Sequence, residues 1–70
     1  QKGLTMDPDI ALRNLSDLLP KTLVEKAARR EANVIIDDLR RWIFCGGYEP
    51  NWAAYPEAGH VVRSGGFFLV

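Results

Sequence analysis

Seventy residues suffice for one domain, taken as 1–70, and leave little core to spare. A chain of this size buries only about 60% of the surface its unfolded form exposes. Nine basic and nine acidic residues cancel, so no global field draws the chain to nucleic acid or to an anionic lipid surface. A single cysteine, Cys45, excludes an internal disulfide, and one cysteine with one histidine, His60, cannot build a closed zinc site. Small domains usually reinforce a thin core with disulfides, a metal or a partner chain. Composition therefore leads to the expectation of a partner and of no cofactor. The unpaired thiol points to a reducing, cytoplasmic setting. No apolar run nears the ~18 residues of a membrane span, so no membrane partner is expected.

Residues Gln1-Lys2-Gly3-Leu4-Thr5 lack the apolar stretch of a secretion signal. Met6 reads as the natural start, with residues 1–5 of non-native or processed origin. Asp7-Pro8-Asp9 then opens a helix: an aspartate caps, proline takes the first helical position, and a second acid favours the positive end of the dipole. Ala11, Leu12, Leu15, Leu18 and Leu19 recur at helical spacing until Pro20 stops them. Thr22 and Glu25 have the spacing of a capping box for a second helix. Its main apolar stripe is Val24, Ala28, Ala32, Ile35, Leu39, Trp42 and Ile43. Gly46-Gly47 ends it, with one of the two expected in the left-handed conformation; Gly47 in that position would set Tyr48 against Ile43.

With only Pro20 and Lys21 between them, the two helices are expected to fold back on one another. The first covers only the N-terminal half of the second, and the tail is expected to cover the rest. Asn51 reads as the cap of a short turn that ends before Pro56. His60-Val61-Val62-Arg63 and Phe67-Phe68-Leu69-Val70 flank Ser64-Gly65-Gly66 and read as two short strands joined by a three-residue loop. The fold class is thus mainly α: an antiparallel hairpin of helices over about 8–19 and about 23–44, an irregular tail, and a C-terminal β-hairpin at about 60–63 and about 67–70.

Catalysis has one conceivable pair, Cys45 with His60, and no spacing fixes their geometry. A packed small thiol at a helix end is the better reading. Asp37 and Asp38 do not share a helix face, whereas Asp37 and Arg41, four apart, suit a surface ion pair. Neither Gly46-Gly47 nor Gly65-Gly66 sits in a phosphate-binding loop, since neither leads from a strand into a helix with the further glycines and lysine. The chain is not read as an enzyme.

Two surface features remain. Lys26, Arg29, Arg30, Arg40 and Arg41 fall opposite the apolar stripe of the second helix, a layout that could follow phosphates. A solvated face is charged for ordinary reasons, and no aromatic interleaves this one. The larger signal is apolar surplus. Leu23, Ala27, Val34 and Cys45 form a second narrow strip, and seven aromatic residues crowd the C-terminal half. Trp42 and Phe67 read as core. Val34, Phe44, Tyr48, Trp52, Tyr55 and Phe68 are the candidates for a protein-contact surface, where aromatic residues are favoured.

Asp7-Pro8-Asp9 with Ala11-Leu12, Leu15 and Leu18, together with Leu39, Trp42-Ile43, Gly46-Gly47-Tyr48, Pro50 and Trp52, resembles a group of short uncharacterised proteins of actinobacteria and their phages. The resemblance covers about half the chain and implies two helices followed by the glycine-aromatic-proline-tryptophan end. The chain departs from the group in placing Trp52 one residue nearer the proline, in carrying less acid in the second helix, and in extending through Phe67-Phe68-Leu69-Val70. Function is expected to be non-enzymatic protein–protein interaction, by self-association or within a larger assembly. A nucleic-acid-binding regulator using the basic face is the alternative.

Overall fold

The computed structural model describes residues 7–69; the expectations for residues 1–5, Met6 and Val70 fall outside them. α1 spans Pro8–Leu18 and starts as its sequence dictates. Asp7 is extended, and its Oδ1 accepts from the backbone N–H groups of Asp9 at 3.0 Å and Ile10 at 3.3 Å. That satisfies two donors which the first turn of a helix leaves without partners.

Pro20 does not open a loop. Leu19–Leu23 tightens into a 3₁₀ turn, in which the Thr22 hydroxyl donates to the Leu19 carbonyl at 2.6 Å. The expected capping box is therefore absent, because Thr22 is buried and its hydroxyl is committed to the turn behind it. α2 begins later, as Lys26–Phe44, with an extended Glu25 before it. This later start leaves Leu23 and Val24 in solvent, so Val24 does not join the apolar stripe.

Ala28, Ala32, Ile36 and Leu39 are the buried residues of α2. Ile36, absent from the stripe read in the sequence, is fully buried, while Ile35, Trp42 and Ile43 are only half-buried. The helix ends on a Schellman motif: Gly46, at φ +94°, donates to the Ile43 carbonyl at 3.0 Å, and Gly47 donates to the Trp42 carbonyl at 2.8 Å. Gly46, not Gly47, takes the left-handed position, and Tyr48 lies edge-on to Trp42 instead of against Ile43.

The C-terminal β-hairpin does not form. Residues 60–63 belong to α3, Pro56–Ser64, and residues 66–69 run on without regular structure. Proline at the first position, Glu57 in the first turn, Arg63 in the last and Gly65 at φ +86° just past the end are the start and stop signals of a helix. Ala58 and Val62, four apart, are its buried face. Between α2 and α3 a short 3₁₀ turn, Trp52–Ala54, follows Asn51, whose carbonyl rather than its side chain closes the turn.

α1 packs most extensively on α2. The Asn51 N–H, beyond the end of α2, donates to Asp9 Oδ1 at the start of α1 at 2.7 Å. The two helices therefore run in opposite directions. α3 lies against both. The core is where the three meet: Leu12 and Leu15, Ala32, Ile36 and Leu39, Ala58 and Val62. Alanines on two of the three helices leave room for the branched side chains of the others and keep the axes close.

Helical periodicity separates two neighbouring positions sharply. Ile36→Ala should cost about 2–5 kcal/mol in urea unfolding, the usual range for a buried large-to-small change. Val34→Ala, on the opposite face and 59% exposed, should stay within about 0.5 kcal/mol of the parent.

Candidate protein-contact surface

Beyond α3 the chain turns at Gly65 and runs back along α2, held there by two side chains of that helix. The Asn33 carboxamide donates from Nδ2 to the Phe68 carbonyl at 2.9 Å and accepts the Phe68 N–H on Oδ1 at 2.8 Å. Arg40 donates from Nε to the Val62 carbonyl at 3.0 Å and from Nη2 to the Gly66 carbonyl at 3.3 Å. Its guanidinium also sits 4.7 Å from the centroid of the Phe67 ring. Burial then alternates along the tail. Phe68 packs on the core, whereas Phe67 is 52% and Leu69 92% exposed.

Those geometries divide the expected contact residues. Phe44, on the last turn of α2, is 91% exposed, and Tyr48 and Val34 are also exposed. Trp52, Tyr55 and Phe68 are half-buried and pack against the core, so most of their area is already used inside the chain. Trp52 lies across Gly59 of α3 so closely that a Cβ there would stand 3.0 Å from its ring. Its indole N–H donates to Glu49 at 2.7 Å, and Arg63 lies 5.4 Å from its ring centroid. The two aromatic residues expected in the core are displaced from it. Phe67 faces outward because its neighbour Phe68 takes the inner side of the tail. Trp42 is half-buried outside the core cluster, and its indole N–H donates to the Tyr48 carbonyl at 2.8 Å.

The basic residues are divided in the same way. Arg40 holds the tail, Arg29 donates to the Thr22 carbonyl at 2.9 Å, and Arg41 pairs with Asp37 at 3.0 Å. Lys26 and Arg30 are exposed without a hydrogen bond or ion pair among the described residues. Asn33 and Leu69 were not singled out by sequence reasoning. Asn33 sits on the flank of α2 between the stripe and the charged face, and its role depends on a contact 35 positions away.

Elsewhere, Cys45 is an exposed thiol at the end of α2, and His60 is exposed on α3. A shallow groove of about 320 Å³ runs between α1 and the 51–55 turn, lined by Asp9, Ile10, Arg13, Asn51, Ala54 and Tyr55. Among the described residues no helix is long and apolar enough to cross a membrane, and no three His, Cys, Asp or Glu side chains cluster as metal ligands. Comparisons with family models, with curated proteins and with solved structures each returned no match.

Asn33→Leu keeps the bulk of the side chain and removes both hydrogen bonds to Phe68. It should destabilise the chain by about 1–3 kcal/mol, since two partly buried backbone groups lose their partner. The Phe68 amide should lose its protection in hydrogen exchange, while the amides of α1 keep theirs.

Proposed function

We propose that the chain is a non-enzymatic protein-interaction module that docks, on itself or within a larger assembly, through the apolar surface at the end of α2 and the adjoining tail. The observation that carries this reading is Phe44. A phenylalanine standing almost wholly in water gains nothing for the fold, and burying it elsewhere would remove most of its area from solvent. It is not isolated. Phe44 lies four residues beyond Arg40 on α2, and the Arg40 guanidinium sits over the Phe67 ring of the tail. Leu69 continues the apolar surface along the tail, and Tyr48 adds an amphipathic ring at the end of the helix. Aromatic anchors flanked by arginine are the composition that protein interfaces favour. Arg40 is already hydrogen-bonded, so docking would not have to immobilise it.

Of the five basic residues that could serve a nucleic-acid surface, Arg29, Arg40 and Arg41 have partners within the fold. No observation favours that use over docking. The cytoplasmic setting, the kinship with short actinobacterial and phage proteins, and the absence of catalysis belong to the same proposal and rest on the sequence arguments already given.

Because Phe44 supports no core contact, Phe44→Ser should leave the unfolding midpoint of the chain nearly unchanged, with a stability change within about 0.5 kcal/mol. In sedimentation velocity, the same variant should dissociate at a concentration where the parent is associated. Identical sedimentation of parent and variant across the whole range would contradict self-association through this surface.

A further inference from the structure

We propose that residues 66–69 form a strap that opens and closes as one unit on an intact three-helix body, and that closing it assembles the Phe67 and Leu69 part of the exposed apolar surface. The strap stands on the geometry of the tail alone; only its use in regulating a contact rests on the docking reading above.

Side chains alone hold the strap. No backbone–backbone hydrogen bond ties residues 66–69 to the rest of the chain among the described residues. Asn33 and Arg40 stand seven positions apart, two turns along one face of α2 and about 10 Å along its axis. Arg40 binds the Gly66 carbonyl at one end of the strap, and the Asn33 carboxamide takes both the N–H and the C=O of Phe68 at the other. Arg40 is also fixed independently of the strap, because its Nε donates to the Val62 carbonyl in α3. The body has its own core as well. The buried cluster draws only on α1, α2 and α3, and Phe68 packs against it half-buried. Gly65, at φ +86°, and Gly66 lead into the strap, so the joint carries no side chain that resists rotation.

Closure is concerted. The Asn33 carboxamide meets both of its partners only when Phe68 is extended, and the same extension sends the Phe68 ring inward and Phe67 and Leu69 outward. Phe67 then comes to lie 4.7 Å from the Arg40 guanidinium. On opening, these hydrogen bonds pass to water and the Phe68 ring loses its packing, while the freed residues regain backbone entropy. The opposing terms largely offset, which puts the open form at about one molecule in ten to one in a thousand. Phe44 stays on α2 in both forms. A partner that needs Phe67 and Leu69 beside Phe44 binds the closed form, so its apparent affinity scales with the closed fraction. Asn33 is the positioning residue that sets that fraction.

Native-state hydrogen exchange of the full chain, read by NMR at a concentration where sedimentation shows a monomer, tests the strap. The Phe68 amide should exchange about ten- to a thousandfold more slowly than in a free peptide, at a rate that low urea leaves unchanged. The Ile36 and Leu39 amides should be slower still and accelerate with urea. Asn33→Leu should bring the Phe68 amide close to the free-peptide rate and abolish the ring-current shift of Phe67 on the Arg40 Hδ protons, with Ile36 and Leu39 still protected. A Phe68 amide that shares the rate and urea slope of Ile36 would show that the tail opens only with the whole fold, and would overturn the strap. So would an Asn33→Leu chain that keeps the Arg40 shift, or one that loses the protection of its helices. Because every readout is taken on the monomer, the strap is decided whether or not the chain associates, and the sedimentation of Phe44→Ser decides self-association separately.

Discussion

Everything in this molecule follows from how little space its three helices enclose. Leu12 and Leu15 meet Ile36 and Leu39 across a seam narrowed by Ala32, and α3 closes it with Ala58 and Val62. No aromatic residue is fully buried in that core. The core is built from alanines and larger aliphatic side chains of the three helices, and the rings that touch it do so only partly buried. Stability on the order of 0.1 kcal/mol per residue is typical of native domains, so these few aliphatic contacts have no replacement. An aromatic residue in this chain can therefore only lean on the rim or face water.

Which of the two it does depends on the neighbouring backbone. Trp52 can lie on α3 because Gly59 leaves the space, and its N–H has Glu49 as acceptor. Phe68 is drawn inward because Asn33 binds both of its backbone groups, and alternation then sends Phe67 and Leu69 outward. Phe44 follows from the period of α2: with Ile36 and Leu39 facing the core, the last turn carries Phe44 to the far side. The Schellman turn at Gly46 leads the chain away before the tail could cover it. The exposed apolar surface is a consequence of helix phase and of one asparagine. Part of it, Phe44, lies on the last turn of α2, and the tail is tied to the same helix through Asn33 and Arg40.

Local signals were legible wherever the local chain decides. Asp7-Pro8-Asp9 starts α1, Gly46-Gly47 ends α2, and Arg41 pairs with Asp37 one turn away, each as its sequence implies. The C-terminal third was misread for a physical reason. Val61-Val62 and Phe67-Phe68 have high strand propensity, and Gly65-Gly66 between them mimics a hairpin loop. Yet propensity gives way to packing: Ala58 and Val62 fill the seam only at helical spacing, and Gly65 is the cap of that helix. Pro56, Glu57 and Arg63 carried the helical signal and were outweighed. The tail's course was not legible at all, since it depends on Asn33 meeting Phe68, a pairing no local pattern encodes. The phase of α2 was read within one position. Even so, that single step exchanged Ile36 for Ile35 in the core and left the ends of the helix ambiguous.

The central claim is that apolar rings stand in water on the single chain and are covered only by association. Fluorine NMR of the chain labelled with fluorophenylalanine, with a soluble nitroxide as broadening agent, reads all three phenylalanines at once. At high dilution Phe44 is expected to broaden most and Phe68 least, and concentration should shelter Phe44 and Phe67 while leaving Phe68 unaltered. A Phe44 signal already sheltered at dilution, or one equally accessible at every concentration, would contradict the claim.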